Sequence, residues 1–129
     1  MNELWDPVKQ WMGKAENDLA AAKLLAEAQP PLRDTAIYHC QQAGEKALKA
    51  ALAWRRKPLQ KTHDLGTLLD LVVTDCPALE TLRNAAKLLN PYAMAFRYPR
   101  GPAMPSAEEM QKALAAAEEI VLAVRQLIG

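Results

Sequence analysis

Residues 38–50, YHCQQAGEKALKA, decide the fold class because they combine strong helix formers with no proline. At 3.6 residues per turn, the small and apolar residues of the surrounding segment share one broad arc. They are Ala36, Cys40, Ala43, Ala47, Ala50, Ala51 and Trp54, with Gly44 and Leu48 extending the arc. Small side chains let a neighbouring helix approach closely, so the stretch predicts a helix that packs against other helices.

The other side of this helix is polar. His39, Gln42, Lys46 and Lys49 form one row, with Tyr38, Gln41 and Glu45 beside it. Neighbours in such rows lie ~5–6 Å apart, so their donors can converge on one anionic group or one base edge. The alternative is a solvated face with an ordinary Glu45–Lys49 ion pair. Periodicity alone does not separate the two.

Composition favours a single helical domain over residues 1–129. Half of the residues are hydrophobic, but only 5% are aromatic, as in closely packed helices rather than in a β-sandwich. Sixteen basic residues against fifteen acidic ones give a net charge of +1, so any basic site must be local. The chain therefore shows no global signal for binding a polyanion.

The sequence contains no recognisable targeting or membrane-spanning segment, so we expect a cytoplasmic protein. The start, MNELWDPVKQW, lacks the apolar core of a signal peptide, and no apolar run reaches the ~20 residues that span a bilayer. We therefore expect no membrane partner and two free thiols, Cys40 and Cys76. The sequence has only two histidines and no H-E-x-x-H motif, so we expect no metal site. It also has no glycine-rich phosphate loop, so we expect no cofactor.

The first and second helices have clear boundaries. Asp6 is placed to cap the first helix and Pro7 suits its first position, while AQPPLRD, residues 28–34, ends it. The second helix runs from about Asp34 to Trp54 before RRKPLQK breaks it.

Three more helices follow. THDLGTLLDLVV, residues 62–73, predicts a third helix capped by Thr62, and a fourth runs from Thr74 or Asp75 to the NP at 90–91. An S-x-x-E capping box, Ser106 to Glu109, starts the last helix. We expect an all-α, up-and-down bundle of four main helices plus a shorter fifth.

Three segments carry a family resemblance. YHCQQAGEKALKAAL, KTHDLGTLL and YAMAFRYP, in this order and spacing, resemble the small stand-alone prokaryotic HEPN proteins, and AENDLAAAKLL resembles the first helix of that family. The resemblance implies a homodimeric helical bundle and a minimal nucleotidyltransferase encoded alongside as partner. In such pairs the HEPN protein is often the toxin and the nucleotidyltransferase the antitoxin.

The resemblance also raises the question of RNA cleavage. Many relatives are metal-independent ribonucleases with a motif of an arginine, four to six intervening residues and a histidine. The arginine and the histidine of this motif meet across the dimer cleft. Arg33 with His39 and Arg56 with His63 have this spacing. The catalytic copy in the family normally lies later in the bundle, where residues 82–100 contain no histidine. Ribonuclease activity therefore stays open.

Seven residues are the candidates for a catalytic or nucleotide-binding site. His39 and His63 are the candidate catalytic bases, and the candidate nucleotide- or phosphate-binding residues are Gln42, Lys46, Lys49, Arg97 and Tyr98. For His39 the alternative is a half-buried histidine bonded to a neighbour, for His63 a role at the helix start, and for Tyr98 the pinning of a loop.

The basic residues of the second helix and its following loop predict a wider phosphate-binding platform. They are Lys46, Lys49, Arg55, Arg56, Lys57 and Lys61. The predicted function is nucleotide or RNA binding, in a pair with a nucleotidyltransferase. The alternative is a non-catalytic module that only docks to that partner. A single cavity shared by His39, Lys46, His63 and Arg97 would favour binding, and their scatter across separate surfaces would favour docking alone.

Overall fold

The computed structural model describes residues 6–99 and 103–129, and over these residues it contains helices and no strand. The helices are α1 (Pro7–Glu27), α2 (Arg33–Trp54), α3 (Leu65–Asp75), α4 (Arg83–Leu89) and α5 (Ala107–Ile128). Two 3₁₀ segments, Pro77–Leu82 and Asn90–Ala93, flank α4. The predicted all-α class with five helices is confirmed.

Helix α2 lies at the centre of the bundle and packs against each of the other four α-helices. Thirteen of its 22 residues are buried, and these include all the alanines predicted on its small-residue arc. Gly44 shows how closely the helices approach, because a Cβ there would lie 3.3 Å from Leu89 Cδ1 and 3.4 Å from Ile120 Cδ1. Trp54, also predicted on the arc, is exposed at the end of the helix.

The connections and ion pairs fix the up-and-down course. Helices α1 and α2 are joined by only five residues and pack along their length, which makes them antiparallel neighbours. Glu16 pairs with Arg125, and Lys23 pairs with Glu118. Because the sequence number rises along α1 as it falls along α5, these two helices are antiparallel as well.

The predicted helix starts hold at both ends of the chain. Asp6 Oδ1 accepts hydrogen bonds from the amides of Val8 and Lys9, and Ser106 Oγ accepts one from Glu109. The carboxylate of Glu109 accepts from the Tyr92 hydroxyl at 2.6 Å, so only one half of the predicted capping box is observed. This contact ties the segment before α5 to the bundle.

The start of α3 differs from the prediction. Asp64, rather than Thr62, is the cap, since its carboxylate accepts from the Thr67 amide at 2.9 Å. Thr62 Oγ1 instead accepts from the amide of Asp64. The prediction was wrong by two residues because both side chains can cap and the sequence offers them in succession.

The predicted fourth helix is only partly α-helical. Residues 77–82 form a 3₁₀ segment, and α4 covers only Arg83–Leu89. Leu79 and Leu82 of this segment are both buried. A 3₁₀ helix has three residues per turn, so it places residues three apart on one face. Pro77 supplies no amide at the start, and no side chain caps the segment.

Candidate functional site

Asp18 joins helices α1 and α2 at the centre of a cluster of three charged or polar side chains. Its Oδ1 lies 2.8 Å from His39 Nδ1, and its Oδ2 accepts from Lys46 Nζ at 2.7 Å. Asp18 is buried, whereas His39 and Lys46 are each about a quarter exposed. We call His39, Asp18 and Lys46 the Asp18 cluster.

A second cluster has the same composition around Glu45. Glu45 Oε2 accepts from Lys49 Nζ at 3.0 Å, and Oε1 lies 3.0 Å from His63 Nδ1. Gln41 donates to the carbonyl of His63 at 3.1 Å, and Gln42 donates to the side-chain oxygen of Gln41 at 2.8 Å. We call His63, Glu45 and Lys49 the Glu45 cluster. It fixes the start of α3 to the middle of α2.

The prediction that the polar side of α2 is open to solvent or to a ligand is therefore wrong. Gln41, Glu45 and Lys49 are buried, and Lys46 is half-buried against Asp18. The two predicted phosphate-binding lysines each bond to a carboxylate of the protein itself. The cause is packing: α1 and the start of α3 cover the rows that helical periodicity alone leaves on the surface.

A cavity of about 340 Å³ opens beside the Asp18 cluster. Its walls come from the first two turns of α2 and from the segment after the second 3₁₀ segment, and it is lined by Asp34, Thr35, Tyr38, His39, Phe96 and Arg97. Two predicted site residues, His39 and Arg97, thus meet. The other predicted site residues, Gln42, Lys46, Lys49, His63 and Tyr98, do not line this cavity. The single cavity that was to be shared by His39, Lys46, His63 and Arg97 is therefore not observed.

Arg97 presents its guanidinium to the cavity from a stacked position. Its Cζ lies 4.4 Å from the centre of the Tyr38 ring and 5.9 Å from that of Tyr98, both within cation–π range. One terminal nitrogen donates to the carbonyl of Ala93 at 3.1 Å. No residue in the described ranges forms an ion pair with Arg97. The remaining donors are oriented by the stacking and available to an anion.

The backbone before Arg97 is in an unusual conformation. Phe96 has a φ of +66°, in the left-handed region that bulky side chains rarely adopt. Its ring stacks on Tyr92 with centres 6.2 Å apart and packs against the core. Such strain costs of the order of 1–3 kcal/mol and persists where packing imposes it. The anchored Phe96 thereby directs Arg97 back over Tyr38.

The sequence and the fold both match known proteins. A model of the HEPN domain matches residues 8–127, nearly the whole chain. The chain belongs to the HEPN family. The crystal structure of TT1696 from Thermus thermophilus is similar, with a TM-score of 0.80 and 26% identity over 95% of this chain and 98% of that one.

A second solved structure shares the fold. It is ST0689, described as an archaeal HEPN homologue, with a TM-score of 0.76 and 24% identity over 95% of this chain and 98% of that one. None of the curated proteins matches the chain. The match to the HEPN domain model confirms the predicted family.

The basic loop of this HEPN chain lies apart from the cavity. Lys57 pairs with Asp75 at 3.1 Å, and Arg55 stacks on Trp54 with its Cζ 5.6 Å from the ring centre. None of Arg55, Arg56, Lys57 and Lys61 lines the cavity of His39 and Arg97. The predicted continuous platform is therefore only partly observed: Lys46 and Lys49 pair with carboxylates of the chain. Lys49 lines a different groove together with Arg56 and Lys57 of the loop.

Neither thiol nor metal chemistry is evident in the described residues. Cys40 and Cys76 are both buried and free, and burial raises the pKa of the Cys40 thiol to about 12. A thiol with such a pKa is a poor nucleophile. Residues 6–99 and 103–129 contain no group of three or more His, Cys, Asp or Glu residues that could hold a metal ion. No helix among them is long and apolar enough to cross a bilayer.

Sequence reasoning missed Asp18 and the role of Tyr38. Asp18 lies three residues after Ala15 and four before Ala22, on the buried stripe of α1. A carboxylate on an apolar stripe requires a buried partner, and this signal could have found it. Tyr38 carries no comparable signal, because its contact with Arg97 depends on a loop whose path the sequence does not determine.

Proposed function

We propose that this HEPN protein binds a nucleotide or a nucleotide unit of RNA in the cavity between Tyr38, His39 and Arg97. The observation that supports the proposal is the guanidinium of Arg97, stacked on Tyr38 and without an ion-pair partner in the described ranges, beside the imidazole of His39. The guanidinium suits a phosphate, and the exposed ring of Tyr98, which lies beside it but outside the lining of the cavity, suits a base. Lys46 takes part only through Asp18. Lys49 and His63 belong to the Glu45 cluster, and Gln42 donates to Gln41 beside it.

Substitution of two arginines tests this proposal. Arg97→Ala should weaken binding of a fluorescein-labelled RNA decamer at least about tenfold and reduce the salt dependence by about one phosphate contact. Arg55→Ala is the matched control, because Arg55 also stacks on an aromatic ring and does not line the cavity. Fluorescence anisotropy at several salt concentrations measures both. Equal affinities of the two variants would refute the site.

RNA cleavage is a natural extension of binding. His39 has its Nδ1 on a carboxylate and lies in one cavity with a cation, which is the arrangement a general base needs beside a phosphate. Incubating the purified protein with RNA in EDTA, for wild type and His39→Ala, tests for metal-independent cleavage. Cleavage at equal rates by both proteins would exclude His39 as the base.

A second function, docking to a partner protein, is supported by a different surface. A groove of about 990 Å³ lies between the start of α1 and the loop after α2. Its lining combines apolar residues, Trp11, Leu52, Trp54 and Leu59, with basic ones, Lys14, Lys49, Arg56 and Lys57. We propose that a nucleotidyltransferase of the toxin–antitoxin type docks there. Co-purification of that protein with wild type, and its loss with the exposed-site variant Leu59→Asp, would support docking.

The oligomeric state and the compartment are further proposals. The HEPN resemblance supports a homodimer, and the two free cysteines suit the reducing cytoplasm. Light scattering on the purified protein, without its partner, measures the mass directly. A monomer at micromolar concentration would exclude a stable homodimer and with it any site that depends on two copies.

A further inference from the structure

Asp18 holds the ring of His39 in one orientation. The ring nitrogen Nδ1 lies 2.8 Å from a carboxylate oxygen of a buried residue on another helix. An ionised carboxylate only accepts hydrogen bonds, so Nδ1 carries the hydrogen of this contact. In a neutral imidazole the other nitrogen, Nε2, then has a free lone pair and accepts hydrogen bonds.

Lys46 completes this arrangement from the same helix as His39. It lies seven residues, or two turns, after the histidine, and its Nζ donates to the second oxygen of Asp18 at 2.7 Å. The negative charge of Asp18 is thus balanced by a lysine, and the imidazole does not have to be charged to compensate it.

The other ring nitrogen of His39, Nε2, has no hydrogen-bond partner among the described residues. His39 lines the cavity together with Arg97. Beside the carboxylate of Asp34 and the hydroxyl of Thr35, the cavity therefore offers a ligand a cationic donor from Arg97 and, where the ring is neutral, an acceptor from His39. A simple anion would use only the donor from Arg97.

We propose that Asp18 is a positioning residue that keeps His39 as a hydrogen-bond acceptor, so that the cavity selects an anionic ligand with a hydroxyl donor beside its charged group. This inference rests on the proposed function, since it assigns the chemistry of the ligand at the same cavity. The part that concerns Asp18 and His39 can be measured without any ligand.

Nitrogen NMR of the uniformly ¹⁵N-labelled protein reads the tautomer directly. Wild-type His39 should show its hydrogen on Nδ1, and Asp18→Asn should shift the ring toward the Nε2–H form. The His63→Gln variant assigns the two histidines. Asp34→Asn is the matched control, because Asp34 also lines the cavity but does not bond to His39. A wild-type ring with its hydrogen on Nε2, or a tautomer that Asp18→Asn leaves unchanged, would overturn the role of Asp18.

A conservative variant separates positioning from folding. Asp18→Glu keeps a carboxylate and should restore the Nδ1–H tautomer, whereas circular dichroism should show the same helix content in all variants. If Asp18→Asn does not fold, the Asp18→Glu and wild-type spectra still decide the question. A folded Asp18→Glu protein with its hydrogen on Nε2 would contradict the proposal.

Two nucleotides test the ligand chemistry. Adenosine 3′-monophosphate has a hydroxyl next to its phosphate, and 2′-deoxyadenosine 3′-monophosphate lacks it. Wild type should bind the first about tenfold more tightly, the equivalent of one hydrogen bond. Asp18→Asn should lose this preference, and Arg97→Ala should weaken both ligands. Equal wild-type affinities would refute the selection of a hydroxyl. Failure to bind either nucleotide would refute the proposed function, while the tautomer result would still decide the role of Asp18.

Discussion

The Asp18 and Glu45 clusters contain the same three kinds of side chain and differ in where they place them. In the Asp18 cluster the carboxylate comes from α1, and the histidine is 28% exposed and lines a cavity. In the Glu45 cluster the carboxylate and the lysine come from α2 and are only 4% and 7% exposed, while the histidine is 70% exposed. Each carboxylate is bonded to a histidine and a lysine.

Burial of the carboxylate–lysine pair, rather than the kinds of side chain present, therefore distinguishes the structural Glu45 cluster from the Asp18 cluster at the candidate site. Around Glu45 the charged groups are enclosed and hold α2 to the start of α3. Around Asp18 the imidazole keeps one nitrogen available beside Arg97. Substitutions in the Glu45 cluster should therefore affect stability, and substitutions in the Asp18 cluster should affect binding.

The largest expected effect is that of Glu45→Ala. It leaves the buried ammonium of Lys49 without its counter-ion, and breaking a buried pair in this way costs about 3–5 kcal/mol of the free energy of unfolding. Urea denaturation followed by circular dichroism measures the loss. Asp18→Ala is the comparison, with a cost of about 1.5–3 kcal/mol for hydrogen bonds to partly exposed charged groups. A larger loss for Asp18→Ala would reverse the assignment of the two clusters.

The second prediction compares the two histidines in ligand binding. His39→Ala should weaken binding of the labelled RNA decamer about tenfold, the loss of roughly one hydrogen bond, because it removes the acceptor in the cavity. His63→Ala should leave the affinity within about twofold, since His63 does not line the cavity. Anisotropy titrations at one fixed salt concentration check both. Equal losses from the two substitutions would mean that the ligand contacts both clusters.

The fold was largely predictable from local patterns. The caps Asp6 and Ser106 and the alanine arc of α2 were found because each depends on residues within one or two helical turns. The family was predictable from three short motifs. The 3₁₀ segment Pro77–Leu82 was missed because a leucine pair three residues apart fits an α-helix as well as a 3₁₀ helix.

The site was less predictable, because its contacts join distant parts of the chain. Helical periodicity placed Lys46 and Lys49 correctly on the polar side of α2. It did not reveal that Asp18, 28 residues before Lys46, lies opposite that side. The meeting of Arg97 with Tyr38 depends on the left-handed backbone at Phe96, a conformation that no local pattern in a non-glycine residue indicates.

The smallest predicted effect tests how tightly the protein packs beside the Glu45 cluster. Gly13, inside α1, has open space where a Cβ would lie, so Gly13→Ala should raise the free energy of unfolding by about 0.5–1 kcal/mol. The substitution Gly44→Ala, at the residue before Glu45, brings the same gain in helix propensity. Its new Cβ, however, meets Leu89 and Ile120 at 3.3 and 3.4 Å, so the gain should be cancelled.

Thermal and urea unfolding of the two alanine variants, measured side by side, check this difference. Because both substitutions add one methyl group inside a helix, the helix propensity is matched and only the surroundings differ. Equal stabilisation by both would show that the leucine and isoleucine behind Gly44 move aside easily. The Glu45 cluster would then lie in a yielding part of the core, and rigid enclosure would no longer explain why its ion pair should matter more than that of Asp18.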